Sequence, residues 1–127
     1  HPFRIVPTDG RPHTGKDLLM WLGDPRGRWE GNTLVIETVN QNGKNYLAQR
    51  GRFYTEEARL IERMTMIDAN TIHWAATIDD SNVYTRPFTI AFAFRRNTVP
   101  NTEVWEEACF EDNTEQMQLV RNNGFKV

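Results

Sequence analysis

Apolar and polar positions alternate with a period of two along most of this chain, in short runs broken by turn residues, and that pattern predicts β-strands. The sharpest alternation falls in Leu60–Ile67 and Thr71–Ile78, with Asp68-Ala69-Asn70 as turn chemistry between them. Arg28–Glu30 and Thr33–Val39 flank Gly31-Asn32, a strong two-residue hairpin signal. Tyr84–Arg96 carries Phe88, Ile90, Phe92 and Phe94 on one side, and Pro87 near its start suits a strand beginning, an edge or a bulge. Phe3–Val6 reads as a short opening strand and Glu103–Glu111 as a closing one. Pro7–His13 is a proline-restrained loop, Asp17–Leu22 a short helix or strand end, Asn40–Arg52 a long polar loop, and Glu56–Arg59 one helical turn. The polar tail Asn113–Val127, anchored by Met117, Leu119 and Val120, fits a short helix. Successive antiparallel strands with no βαβ alternation predict an all-β domain, an antiparallel barrel or strongly bent sheet with minor helix.

Register decides the chemistry of the central hairpin. With Ala69-Asn70 as a two-residue loop, Ile67 faces Ile72, Thr65 faces Trp74 and Arg63 faces Ala76. The other face then carries Met66 with His73, Met64 with Ala75 and Glu62 with Thr77. Glu62 and His73 would share that face, whereas a slip of one residue would scramble the assignment. A glutamate in a dry cavity rises in pKa and acts as an acid or base, and a histidine titrating near neutrality is its natural counterpart. The structural alternative pairs Glu62 with an arginine and leaves His73 half-buried in its strand.

Composition narrows the partners. At 127 residues the chain reads as a single domain able to bury a core without disulfides or metal. A formal charge of −2 with mixed signs argues against non-specific nucleic-acid binding. The 39% hydrophobic and 11% aromatic content argues for a folded domain. No apolar run approaches the ~20 residues of a membrane span. Cys109 has no second cysteine to bond, and its acidic neighbours Glu106, Glu107, Glu111 and Asp112 make it a poor nucleophile. Ser81 sits in a turn without a visible base.

The loop Asp9-Gly10-Arg11-Pro12-His13 gathers three ionisable side chains. Arg11 could clamp a carboxylate or phosphate and His13 could transfer a proton, or Asp9 and Arg11 could simply fix the loop. His1, His13 and His73 are too scattered in sequence to form a ligand motif, so neither a metal nor a cofactor is expected. Trp21, Trp29, Trp74 and Trp105, with Phe88, Phe92 and Phe94, could line an apolar cup or form a core.

The segments Thr8–His13, Gly27–Thr38 and Tyr84–Phe88 resemble those of an uncharacterised family of exported proteins from acidobacteria and proteobacteria. Glu62-Arg63, Asp68 and Thr77–Asp80 also match, and Cys109–Asn113 resembles the family's closing motif, with Phe110 where histidine is usual. The resemblance implies a periplasmic or extracellular setting, an all-β fold, and that the chain is the C-terminal portion of a longer protein. It carries no reaction. Separately, Gly27-Arg28-Trp29 is similar by analogy to the barrel-closing start of lipocalin-type folds. Because the chain begins at His1 with a strand lacking a partner, either self-association or a missing N-terminal segment is expected.

Two functions fit these features, the first favoured because Glu62, His73 and the Asp9 loop are otherwise costly placements. One is a small-molecule acid–base lyase, isomerase or hydratase using Glu62 and His73 as catalytic groups, with Asp9, Arg11, His13, Trp29 and Trp74 binding substrate. The other is a non-catalytic binding or interaction domain. Polar groups converging in a pocket would favour the first, and an aromatic strip or a cavity without ionisable groups the second.

Overall fold

Gly31-Asn32 folds β1 (Asp24–Glu30) back onto β2 (Thr33–Val39) in the anticipated register, Glu30 opposite Thr33. Gly31 takes φ 61° while Asn32 keeps a negative φ, the pattern of a type II′ hairpin turn. The computed structural model describes residues 3–48 and 52–102. The expected strand Glu103–Glu111 and helix within Asn113–Val127 lie outside the described residues.

Two compact units divide the chain, Arg4–Asn97 and a second formed by residues 1–3 with 98–127. The first holds every strand among the described residues. After β2, β3 (Tyr46–Ala48) and β4 (Arg52–Phe53) form a small two-stranded sheet inside the segment expected to be a loop. β5 (Arg59–Asp68), β6 (Thr71–Asp79) and β7 (Phe88–Arg95) then complete a five-stranded antiparallel sheet of order β1-β2-β5-β6-β7. Among the described residues of the second unit, Thr102 N donates to the Val99 carbonyl at 3.3 Å, closing a turn.

The sheet is open, which corrects the barrel expectation. β1 and β7 stand at opposite ends of the strand order. Part of the β1 edge is met by a different segment, since Gly27 N donates to the Pro7 carbonyl at 2.8 Å. That segment, expected to be a strand at Phe3–Val6, does not form one. Helix is absent among the described residues. Asp17–Leu22 makes isolated turn bonds, Leu18 N to Gly15 O at 3.1 Å and Gly23 N to Met20 O at 3.2 Å, and Met20 bridges Gln41 in the manner of a strand end. Glu56–Arg59 yields only a turn, Ala58 N to Thr55 O at 3.1 Å.

The central hairpin corrects the register. Ala69-Asn70 is indeed the loop, because Asp68 pairs with Thr71. The next pair is Met66 with Ile72, so Ile67 is an extra residue, a β-bulge. From there the pairing runs one position away from the expected one: Thr65 faces His73, Met64 faces Trp74 and Glu62 faces Ala76. Side chains alternate faces along a strand, so this single residue puts Glu62 and His73 on opposite faces.

Three rungs of directly opposed residues then cross the sheet. The first is Trp29, Leu34, Met64, Trp74 and Phe92; the second is Gly27, Ile36, Glu62, Ala76 and Ile90; the third is Pro25, Thr38, Leu60, Ile78 and Phe88. They make one largely apolar face. Trp74 packs on Phe92 with ring centroids 4.7 Å apart, and Phe92 on Phe94 at 4.8 Å. The opposite face is polar: Arg63 pairs with Glu30 at 2.6 Å, and hydroxyls meet at Thr33–Thr65 and Thr77–Thr89, each 2.8 Å apart. The buried apolar side chains among the described residues are Val35, Ile36, Ala58, Ala76 and Ile78, and Val35 lies on the otherwise polar face between Arg28 and Arg63.

Candidate functional site

The polar face carries a cluster built around Asp24. Strand alternation places Asp24 and Arg26 on the same side of β1, and the hairpin register sets Arg26 opposite Glu37. The loop before β1 docks onto this side. Asp24 is 4% exposed and accepts from Thr14 N at 2.7 Å, from Thr14 Oγ1 at 3.2 Å and from the Arg26 guanidinium, with His13 Nδ1 at 3.2 Å. Arg26 Nε also donates to the Pro12 carbonyl at 3.0 Å. Asn40, in a left-handed conformation with φ 56°, donates to the carbonyls of Thr14 at 3.2 Å and Gly15 at 3.3 Å.

His13 lies between two carboxylates, with Nε2 3.7 Å from Glu37 Oε1. Glu37 also pairs with Arg59 at 2.7 Å. Burial opposes charge on Asp24 most strongly, yet the Thr14 amide, the Arg26 guanidinium and His13 outweigh it and hold its pKa below the ordinary value. Glu37 is lowered by its hydrogen bond to Arg59, against a smaller effect of burial. Both His13 nitrogens thus face protein carboxylates, an arrangement that fixes the loop.

Asp9 and Arg11 satisfy each other at the exposed start of this loop. Arg11 Nε lies 2.9 and 2.8 Å from the two Asp9 oxygens, and Arg11 N donates to Oδ1 at 3.2 Å. The hydrogen bonds from Arg11 lower the Asp9 pKa to about 2. The expectation that Asp9, Arg11 and His13 act together on a ligand therefore meets a loop whose charges are paired internally. Beside the cluster, a cleft of about 420 Å³ is lined by Lys16, Asp17, Asn40, Glu56, Glu57 and Arg59 among others, a mixed-sign surface.

The apolar face carries Glu62. It is 4% exposed, with Arg4 paired to one carboxylate oxygen and Trp74 Nε1 donating to the other at 3.1 Å. Arg4 belongs to the unpaired N-terminal segment that also brings Val6, Pro7 and Thr8 against β1. A Cβ on Gly27 would lie 2.9 Å from Thr8 Cγ2 and 3.0 Å from Val6 Cγ1, so the missing side chain makes room for this segment. One rung away, Trp29, Asn32, Leu34, Met64, Met66 and Ile72 line an apolar cleft of about 380 Å³. Trp29 is 65% and Met66 52% exposed.

Of the anticipated site residues, Trp29, Trp74 and Glu62 therefore share the apolar face. His13, Asp9 and Arg11 belong to the loop before β1. His73 is exposed on the polar face opposite Thr65, so the expected Glu62–His73 cavity does not form. Sequence reasoning missed Arg4, Asp24, Arg26, Glu37 and Asn40. The Gly31-Asn32 hairpin signal was enough to set Arg26 opposite Glu37, but the docking of the loop on Asp24 depends on contacts distant in sequence. Among the described residues, no group of three or more His, Cys, Asp or Glu side chains is placed to hold a metal ion, and no helix is long and apolar enough to cross a membrane. No family model, curated protein or solved structure matches this chain.

Proposed function

We propose that this is a small-molecule-binding domain without catalytic turnover, taking an apolar ligand in the cleft between Trp29 and Met66. The observation that carries this reading is the cleft itself: about 380 Å³, without an ionisable lining group, and walled by an aromatic ring and two thioethers. That volume falls within the range of small-ligand sites, and exposed Trp and Met are side chains that adapt to apolar guests. The separation of Glu62 from His73 supports binding over acid–base chemistry, because a general acid and its counterpart must reach one substrate. The resemblance of the Gly27–Thr38 segment to exported proteins adds a periplasmic or extracellular setting to the proposal.

The test is titration with N-phenyl-1-naphthylamine, a neutral probe that brightens in apolar surroundings. Saturable binding with one probe per chain is expected, weakened at least about tenfold by Trp29→Ala or Met66→Glu, a loss of about 1.4 kcal/mol. Unsaturable binding, or binding indifferent to both substitutions, would remove the cleft as the site. The competing occupant of this face is a second copy of the chain. Sedimentation equilibrium tests it: a concentration-dependent dimer abolished by Met66→Glu would replace the ligand reading with self-association.

A further inference from the structure

A carboxylate on an apolar binding face is costly to bury unless something cationic meets it. Glu62 projects from the same face of β5 as Met64, which lines the apolar cleft, and same-face neighbours on a strand lie about 7 Å apart. The cation now meeting it is Arg4, from a segment outside the strands. This segment is anchored at Gly27 through Pro7, Val6 and Thr8. Between anchor and ion pair, Ile5 is 76% exposed and contributes little apolar burial. The Arg4 end is thus held chiefly by its charge, and it can leave Glu62 while Pro7 stays in place.

From this geometry we infer that Glu62 is the head-group site of an amphiphilic cation, a guanidinium or ammonium on an apolar body, and that Arg4 occupies the site as an internal stand-in until such a ligand arrives. The inference rests on the apolar-cleft reading above and names its ligand class. Ligand exchange proceeds in one step: the incoming cation takes the Glu62 oxygen that Arg4 holds, the Arg4 guanidinium moves into water, and the apolar body lies over Met64 and Leu34 toward Trp29. Trp74 keeps its hydrogen bond to the second oxygen, which holds the carboxylate in place for the incoming cation. A tethered competitor acts at an effective concentration on the order of millimolar, so removing it tightens the free ligand.

Isothermal titration of the full chain with octylguanidinium and with 1-octanol, which share a tail and differ in head group, tests the inference. Octylguanidinium is expected to bind the wild type more tightly than octanol does. Arg4→Ala should tighten octylguanidinium about tenfold and leave octanol within about twofold, the difference being one head-group interaction. Adding Glu62→Gln to Arg4→Ala should erase the preference for the cation while octanol still binds. In the wild type, which needs no variant to fold, octylguanidinium but not octanol should speed amide hydrogen exchange in residues 4–6. Equal binding of the two compounds, with no change in exchange, would overturn the inference and leave the apolar cleft standing. Failure of both compounds to bind any variant would instead overturn the cleft reading, and this inference with it.

Discussion

Trp74 Nε1 reaches across the β5–β6 pair to Glu62 Oε1 at 3.1 Å, while His73, the residue before it in the chain, faces the other side of the sheet. The indole and the carboxylate share a face because Ile67 bulges out of β5. Glu62 consequently has an aromatic donor and a guanidinium for partners, and no imidazole.

The register is open to direct proof by cross-linking. In a Cys109→Ser background, Thr65→Cys with His73→Cys should oxidise readily to a disulfide, because opposed residues bring their Cβ atoms within about 5.5 Å. Met66→Cys with His73→Cys should not. Reversal of the two outcomes, read by mass spectrometry, would restore the regular hairpin and put Glu62 beside His73.

Removing the two partners of the Arg4–Glu62 pair should cost different amounts. Arg4→Ala leaves a buried carboxylate with only the indole donor, and a loss of about 1–2 kcal/mol in urea unfolding is expected. Glu62→Gln leaves a guanidinium that can turn to water, so its loss should be the smaller, under about 1 kcal/mol. A larger loss for Glu62→Gln would mean that the segment around Arg4 depends on the pair more than the sheet does.

Gly27 sits where the N-terminal segment crosses β1. Gly27→Val puts methyl groups into the space of Val6 and Thr8, whose side-chain ends already lie 3.0 and 2.9 Å from a Cβ at that position. Trypsin cleavage after Arg4 should accelerate severalfold, with a stability loss of about 1–3 kcal/mol from overpacking. Unchanged cleavage would separate the anchoring of this segment from Gly27.

Acid should weaken the fold through Asp24. Its folded pKa is depressed below the ordinary 3.8, so its contribution is fully present above that value and is lost as pH falls through the folded value. Glu37 acts in the same sense below its ordinary 4.5. The melting temperature should therefore decline as pH drops below about 4, and Asp24→Asn should flatten that decline. At neutral pH the same substitution should cost about 2 kcal/mol, since it weakens the partners of Arg26 and His13 together. A decline equally steep in the variant would assign it to other carboxylates.

Much of the architecture was legible in the chain because its signals are local. Alternation marked β5, β6 and β7, and Gly31-Asn32 fixed the β1–β2 register through a turn whose backbone demands are met by the residues at its tip. The turn at Asp79–Asn82 was equally readable, but not its purpose. Asp80 is buried and accepts from Thr55 N at 2.6 Å, tying the turn to the segment that leads into β5. A short polar residue in a turn signals the turn, not the distant amide it will bind.

The sequence by itself determined an all-β chain of antiparallel strands, since strand periodicity and turn chemistry act between near neighbours. Tertiary structure alone decided that the sheet stays open, that Arg4 lies on Glu62, and that His13 is docked on Asp24. It also decided the partner of Glu62. Alternation has a period of two, so one extra residue at Ile67 exchanges the faces of everything beyond it, and a bulge is chosen by the packing of the whole sheet rather than by the residues of one strand.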